Sequence, residues 1–230
     1  MRKFLTFPFL PILFCSLVSI LFSTESKSPD PLRFAKDFEK FADLDQEQSS
    51  TPEKITLFTG SSSIRLWKSL EEDFAELSPL NRGFGGAHIS DVLFYYDLLF
   101  SLYRPHQIVF YCGENDLWSG KPVDQVFQDF SSLWKRIGKD LPLTQLIYLS
   151  CKPSPKRFSK WNLYQSLNLK IKNVCLREEK LTFIDLSPTL LLPNMTFHTE
   201  RWKDDQLHVN QLGYNFWKKW IRSAMGIYPE

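Results

Sequence analysis

The 230-residue chain lacks a surplus of charge of either sign. Lysine and arginine number 28 against 26 aspartate and glutamate residues, which gives a net charge of +2. Nucleic-acid-binding proteins usually carry a strong basic excess, and attraction to anionic membranes needs a basic cluster. We therefore expect no nucleic-acid partner, and contact with a membrane only through the N-terminal segment.

Cysteine is also scarce, with four residues in the chain. This is too few for a disulfide scaffold, and no Cys-x-x-Cys pair is present to suggest a zinc knuckle or a thioredoxin motif. His-Glu-x-x-His is absent as well, so we expect neither a metal nor another cofactor. Cys112 and Cys151 each end an apolar run and could lie side by side, although buried free thiols are the favoured interpretation.

Long apolar runs are missing everywhere except at the start of the chain. Met1-Arg2-Lys3 precedes the apolar residues 4–22, and small polar residues follow. This order is typical of a secretory signal, and Pro8 and Pro11 disfavour a regular spanning helix. We expect residues 1–26 to be a signal peptide or an uncleaved N-terminal anchor. The protein is then exported to the periplasm, the cell envelope or the medium.

The next segment, residues 27–54, is polar and contains several prolines. Four apolar side chains nevertheless recur within it at helical spacing, namely Phe34, Phe38, Phe41 and Leu44. The segment is predicted to be a linker with a short amphipathic helix packed on the main domain, which spans 55–230.

Beyond residue 54, short apolar runs alternate with helical patterns. Strands are predicted at 55–59, 108–112, 146–150 and 181–185, and a further short strand is predicted to end at about residue 81. Helices are predicted at 89–102, 123–137, 160–178 and 210–225. The later strands are continuously apolar, as expected when both faces of a parallel strand are covered. The alternation predicts an α/β fold, a parallel sheet with helices on both faces, and such sheets bind ligands at the carboxyl ends of their strands.

Four polar clusters follow this pattern, and each has a plain structural alternative. Gly60–Ser63 could supply a serine nucleophile or cap the next helix, and Asn81–His88 could bind an oxyanion or form a strained turn. Asn115 could donate into a cleft or form an Asx turn. His208, three residues after Asp205, could be a general base oriented by that carboxylate, or a surface histidine after a helix cap.

In combination, the order Ser, Gly, Asn, Asp-x-x-His resembles the four blocks of the SGNH (GDSL-type) hydrolases. Segments 58–67, 81–86 and 205–214 are similar to a bacterial subgroup of GDSL-like lipases and acylhydrolases, and the likeness covers roughly residues 32–225. The resemblance implies a three-layer α/β/α flavodoxin-like fold with a five-stranded parallel sheet. It also implies a serine esterase for small acyl esters, O-acetylated sugars or lysolipids, so that the partner is a small-molecule, glycan or lipid ester.

The resemblance also implies catalytic roles. Ser62 is then the nucleophile, His208 the general base, and Asp205 the carboxylate that orients it. Ser61 stands where the family usually has Asp, which leaves Ser61 as an alternative nucleophile. Asp204 lies four residues from the histidine and does not fit the motif.

The same resemblance implies an oxyanion hole. The backbone N–H groups of Ser62 and Gly86 and the side-chain amide of Asn115 are the expected donors.

Two other functions share parts of this pattern. A flavodoxin-like cofactor binder has the same alternation of strands and helices but no use for the Asp-x-x-His motif. A catalytically silent carbohydrate- or envelope-binding relative would keep the fold without the reaction.

Overall fold

A computed structural model describes residues 28–47 and 54–228. Five strands form one parallel sheet in the order β2-β1-β3-β4-β5. The strands are β1 (Thr56–Gly60), β2 (Pro79–Gly83), β3 (Gln107–Tyr111), β4 (Gln145–Leu149) and β5 (Leu181–Ile184). The helices are α1 (Ala35–Glu47), α2 (Ser62–Arg65), α3 (Leu70–Asp73), α4 (Ile89–Phe94), α5 (Glu114–Trp118), α6 (Val123–Asp140), α7 (Trp161–Cys175) and α8 (Gln211–Ala224).

The two faces of the sheet carry separate hydrophobic cores, because successive side chains of a strand point to opposite sides. On one face Leu57 and Ile108 pack with α1, α4, α6 and α7. On the other, Phe58 and Val109 pack with α2, α3 and α8. The predicted three-layer α/β/α fold with a five-stranded parallel sheet is confirmed, and its strand order is flavodoxin-like.

Two elements differ in extent from those predicted from the sequence. The second strand continues past Asn81 to Gly83, because residues 81–83 pair in register with the end of β1. The helix predicted over 89–102 is interrupted: α4 ends at Phe94, and a π-helical turn covers Asp97–Ser101. That wider turn buries Leu99 and Phe100, which local periodicity does not reveal.

Helix α1 is the amphipathic helix predicted within 27–54. Phe38 and, from the 3₁₀ turn just before the helix, Phe34 are buried against the domain, whereas Leu44 is exposed. The Phe38 ring stacks on Tyr95 with 3.8 Å between ring centres. Asp45 forms an ion pair with the buried Arg82 of β2. The predicted signal or anchor, residues 1–26, lies outside the described residues.

Cys112, Cys151 and Cys175 are free thiols. Burial raises the pKa of the Cys112 and Cys151 thiols, so both stay protonated in the core. The favoured interpretation of these two residues is confirmed. Over residues 28–47 and 54–228, no helix has the length and apolar character needed to cross a bilayer.

Candidate active site

The site lies where the strand order reverses. The chain runs from β1 to β2 on one side and then crosses back past β1 to β3 on the other. Ligands of open α/β sheets bind in the crevice beyond the carboxyl ends of such strands. A cleft of about 420 Å³ opens there. Its lining comprises Asp37, Ser62, Arg65, Gly85, Gly86, Asn115, Arg157, Leu207 and His208.

A glycine at the end of β1 presents the serine to this cleft. Gly60 has φ +115°, and a Cβ atom there would lie 2.0 Å from the carbonyl oxygen of Tyr111 in β3. Only glycine therefore allows this turn to stay so close to the neighbouring strand. The Ser61 N–H donates to the same carbonyl at 2.8 Å, and Ser62 then begins α2 at the cleft.

The structure brings three of the predicted residues into one series of hydrogen bonds. Ser62 Oγ lies 2.9 Å from His208 Nε2, and His208 Nδ1 lies 2.6 Å from Asp205 Oδ2. Ser61 is buried beneath the turn. Within the described chain, neither Ser61 nor Asp204 hydrogen-bonds to the His208 ring.

Asp205 is held by its own loop. Its Oδ1 accepts the backbone N–H groups of Leu207 and His208, each at 2.9 Å. Burial opposes ionisation, but the hydrogen bonds from the His208 ring and from these N–H groups outweigh it and lower the Asp205 pKa to about 2. A charged carboxylate favours a proton on Nδ1, which leaves Nε2 to accept the Ser62 hydroxyl proton.

Three of the residues that line the cleft carry an uncharged hydrogen-bond donor that is available to a ligand. Gly86 has φ +85°, and the space a side chain would fill there is open to 4 Å. The backbone N–H groups of Ser62 and Gly86 have no acceptor among the described residues. Asn115 Nδ2 donates to the Ala87 carbonyl at 3.1 Å, and since an amide carries two hydrogens, one remains for a ligand.

Arg157 is a site residue that sequence reasoning missed. Its Nη1 donates to Asn115 Oδ1 at 2.9 Å, which fixes the amide with Nδ2 toward Ala87 and the cleft. Arg157 lies in a kinked 3₁₀ turn, Pro155–Lys160, in the connection that follows β4, at the same edge of the sheet as Ser62 and Asn115. The rule that directed attention to the residues after β1 and β3 applies equally to this connection.

A buried ion pair lies next to the Arg157 guanidinium. Lys152 Nζ lies 2.9 Å from Glu114 Oε2, and both side chains are almost fully buried. The Tyr111 hydroxyl donates to the same carboxylate. Arg157 Nη1 approaches the other oxygen, Glu114 Oε1, at 3.5 Å, so one carboxylate faces two cations.

The series of hydrogen bonds at the cleft does not include Trp118, Trp202 or His88. Trp202 is buried edge-on against Phe197, while Trp118 is exposed and faces the Arg157 guanidinium at 5.0 Å. His88 is buried, and burial lowers its pKa to about 4, so it is neutral. Among the residues that the structure describes, no group of His, Cys, Asp or Glu side chains is arranged to hold a metal ion.

A parallel α/β sheet carries, at its crevice, a hydroxyl, an imidazole and a carboxylate that are linked by hydrogen bonds. This combination places the protein in the class of hydrolases of α/β fold that have a serine, a histidine and an acidic residue at the site. The model of the GDSL-like Lipase/Acylhydrolase family matches residues 55–216, and the chain belongs to that family. The resemblance seen in the sequence is thereby confirmed, as is the prediction of an ester-hydrolase family. No curated relative matches the sequence.

Solved structures share the fold at low identity. A protein from Streptococcus pneumonia, provisionally described as a platelet activating factor, has a TM-score of 0.72 at 21% identity, covering 84% of this chain and 92% of its own. A GDSL-like lipase from Bacteroides thetaiotaomicron has a TM-score of 0.69 at 20% identity, covering 82% and 97%. A variant acetyl xylan esterase from Geobacillus stearothermophilus has a TM-score of 0.63 at 14% identity, covering 80% and 99%.

Proposed function

We propose that the protein is a serine esterase that hydrolyses carboxylic esters through Ser62, His208 and Asp205. The observation that carries the proposal is the unbroken series of hydrogen bonds from Ser62 Oγ through the imidazole to the Asp205 carboxylate. A serine hydroxyl is a weak nucleophile until a neighbouring base takes its proton, and this series supplies that base in the required orientation.

The reaction then runs in two acyl transfers. His208 Nε2 takes the Ser62 proton as Oγ attacks the ester carbonyl carbon. The tetrahedral intermediate collapses, the C–O bond to the alcohol breaks, and the protonated imidazole gives its proton to the departing alcohol. A water molecule, deprotonated by the same imidazole, attacks the acyl-serine; the acid leaves and the Ser62 hydroxyl is restored. Asp205 stabilises the imidazolium in both halves.

The N–H groups of Ser62 and Gly86, together with Asn115 Nδ2, are the proposed oxyanion hole. All three lie on the cleft and retain a hydrogen without an acceptor among the described residues. Such fixed donors stabilise the charge that develops on the carbonyl oxygen, and removal of one typically costs about 10²–10³-fold in rate.

The lining of the cleft favours a small, polar substrate. Among its lining residues only Leu207 has an apolar side chain, which leaves little surface to hold a long acyl chain. Short acyl groups, such as the acetyl group that the Geobacillus stearothermophilus esterase removes from xylan by its description, suit this cleft better than the lysolipids also expected from the sequence.

The proposal is tested by comparing two adjacent serines. Ser62→Ala should reduce hydrolysis of 4-nitrophenyl acetate by at least about 10³-fold, because no other hydroxyl contacts His208 within the described chain. Ser61→Ala is the matched control and should retain most of the activity. Circular dichroism checks that both variants fold. Full activity of Ser62→Ala, with loss in Ser61→Ala, would contradict the assignment.

A further inference from the structure

The cleft contains more positive charge than the proposed ester hydrolysis requires. Arg65 and Arg157 both line it, and Asp37 is the single carboxylate among its lining residues. Neither guanidinium has a role in the proton transfers, and the three oxyanion donors are neutral groups. The excess therefore points to a charge on the substrate itself.

Arg65 is placed beside the proposed nucleophile without a carboxylate partner. It lies three residues after Ser62 in α2, a spacing that puts two side chains on the same face of a helix. Its guanidinium packs on Gly85, where a Cβ atom would come within 2.8 Å of Nε. Among the described residues, no carboxylate lies within ion-pair distance of Arg65. Arg157, by contrast, has Glu114 within that distance.

The charge of Arg157 is also incompletely balanced. Its nearest carboxylate, Glu114, is already paired with Lys152 at 2.9 Å, so two cations share one anion. The two side chains that accept hydrogen bonds from Arg157, those of Glu114 and Asn115, both contact its Nη1 atom. The N–H groups of Nε and Nη2 therefore have no acceptor among the described residues. A guanidinium carries five such donors in a planar fork that matches a carboxylate or phosphate group.

We propose that Arg65 and Arg157 form an anion-binding subsite, so that the ester substrate carries a carboxylate or phosphate group close to the scissile bond. This inference rests on the proposed esterase function, because it concerns the substrate of the same cleft. The anion could belong to the acyl part or to the alcohol part of the ester, and the experiment separates the two.

The test uses pairs of esters that differ only by methylation of a carboxylate. The mono-4-nitrophenyl ester of adipate and its methyl ester place the charge on the acyl side. 4-Acetoxybenzoate and its methyl ester place it on the alcohol side. For at least one pair, kcat/KM should be about tenfold or more higher for the charged ester, as expected for hydrogen bonds to a charged group.

Arg65 is the residue to vary, because Arg157 also positions Asn115 and its loss would affect every ester. Arg65→Gln should reduce the charged-to-neutral ratio of kcat/KM to about twofold or less, and Arg65→Lys should restore part of it, since the charge returns without the planar fork. Lys68→Gln is the matched control. It removes a positive charge three residues further along, from an exposed side chain outside the cleft, and should leave the ratio unchanged.

Equilibrium binding makes the result independent of turnover. Calorimetric titration of Ser62→Ala with each ester should show tighter binding of the charged member, and Ser62→Ala/Arg65→Gln should lose the difference. If neutral esters are hydrolysed through Ser62 but neither pair shows a charge preference, the subsite is refuted and the esterase function stands. If no ester is hydrolysed but the charged ester still binds through Arg65, the proposed function fails and the anion subsite remains. Equal binding of both members in every variant overturns the subsite.

Discussion

At the scale of single residues, the site depends on a carboxylate that stays ionised well into the acid range. The Asp205 side chain is 49% exposed, and three hydrogen bonds from its own loop and from His208 lower its pKa to about 2. Ionised Asp205 is therefore present at every pH at which the protein is expected to work. Any change in the proposed activity between pH 4 and pH 8 must then come from another group.

The pH profile of the reaction follows from this. In the proposed reaction His208 must be neutral to take the Ser62 proton, so protonation of its ring in acid stops catalysis. We expect kcat/KM for 4-nitrophenyl acetate to fall as the pH is lowered from neutral, by up to about tenfold for each pH unit. Asp205, with its lowered pKa, adds no second loss until the pH approaches 2. A profile that stays flat down to pH 4 would exclude His208 as the base.

Removal of the carboxylate should be costly even though it touches no substrate. Asp205→Asn removes the charge that stabilises the imidazolium and favours the proton on Nδ1, and comparable changes in serine proteases cost on the order of 10⁴-fold in kcat. Asp204→Asn is the matched control, since Asp204 is the adjacent carboxylate and makes no contact with the ring in the described chain. Equal losses in the two variants would show that the effect is not specific to Asp205.

At the scale of the elements, α1 is part of the site although it precedes the first strand. Asp37 from its first turn lines the cleft, while Phe38 beside it anchors the helix on Tyr95. Helical periodicity in the sequence predicts the apolar face of α1. It does not identify the surface that this face covers, because that surface comes from α4 and β2, which lie later in the chain.

Loss of the Phe38 side chain should therefore loosen α1. Phe38 is 8% exposed, and truncation of a buried phenylalanine to alanine typically costs about 3–5 kcal/mol. Phe38→Ala should lower the free energy of unfolding in urea by about 3 kcal/mol. Leu44→Ala, on the same helix but 39% exposed, should cost less than about 1 kcal/mol. Equal destabilisation by both changes would contradict the packing described for α1.

The contrast between predicted and missed site residues has a physical basis. The location of Ser62 and Asn115 at the cleft could be predicted because each lies within a few residues of the end of an apolar strand. Their catalytic roles are predicted only from the resemblance to the SGNH hydrolases. Arg157 lies eight residues past the end of β4, and its contact with Asn115 depends on a kinked 3₁₀ turn in the connection to α7. Asp37 reaches the cleft only through the packing of α1. Neither contact leaves a periodic signal in the sequence.

At the scale of the whole molecule, the topology assembles residues that are far apart in the chain. Ser62 and His208 are separated by 146 positions. The last helix, α8, holds their two segments together through hydrogen bonds in its first turn. The Tyr214 hydroxyl in the first turn of α8 donates to the Ser63 carbonyl at 2.9 Å, and Asn210 caps the same helix by accepting from the Gly213 N–H. The loop with the histidine is thus attached directly to the turn with the serine.

The N-terminal segment gives a prediction at this scale. From the order of basic, apolar and small polar residues in 1–26, we propose that the protein is exported. Expression of the full chain in a Gram-negative host should place it in the periplasm or on the periplasmic face of the membrane. Mass spectrometry of the purified protein then distinguishes a cleaved signal from a retained anchor. Recovery of the intact chain in the cytoplasm would refute export.

Covalent labelling tests directly, and without a choice of substrate, whether Ser62 is an activated nucleophile. A fluorescent fluorophosphonate should react with the folded wild-type protein, and peptide mapping should place the adduct on Ser62. Labelling should disappear in Ser62→Ala and persist in Ser61→Ala. Absence of labelling in the folded wild-type protein, or an adduct on another serine, would show that Ser62 is not an activated nucleophile.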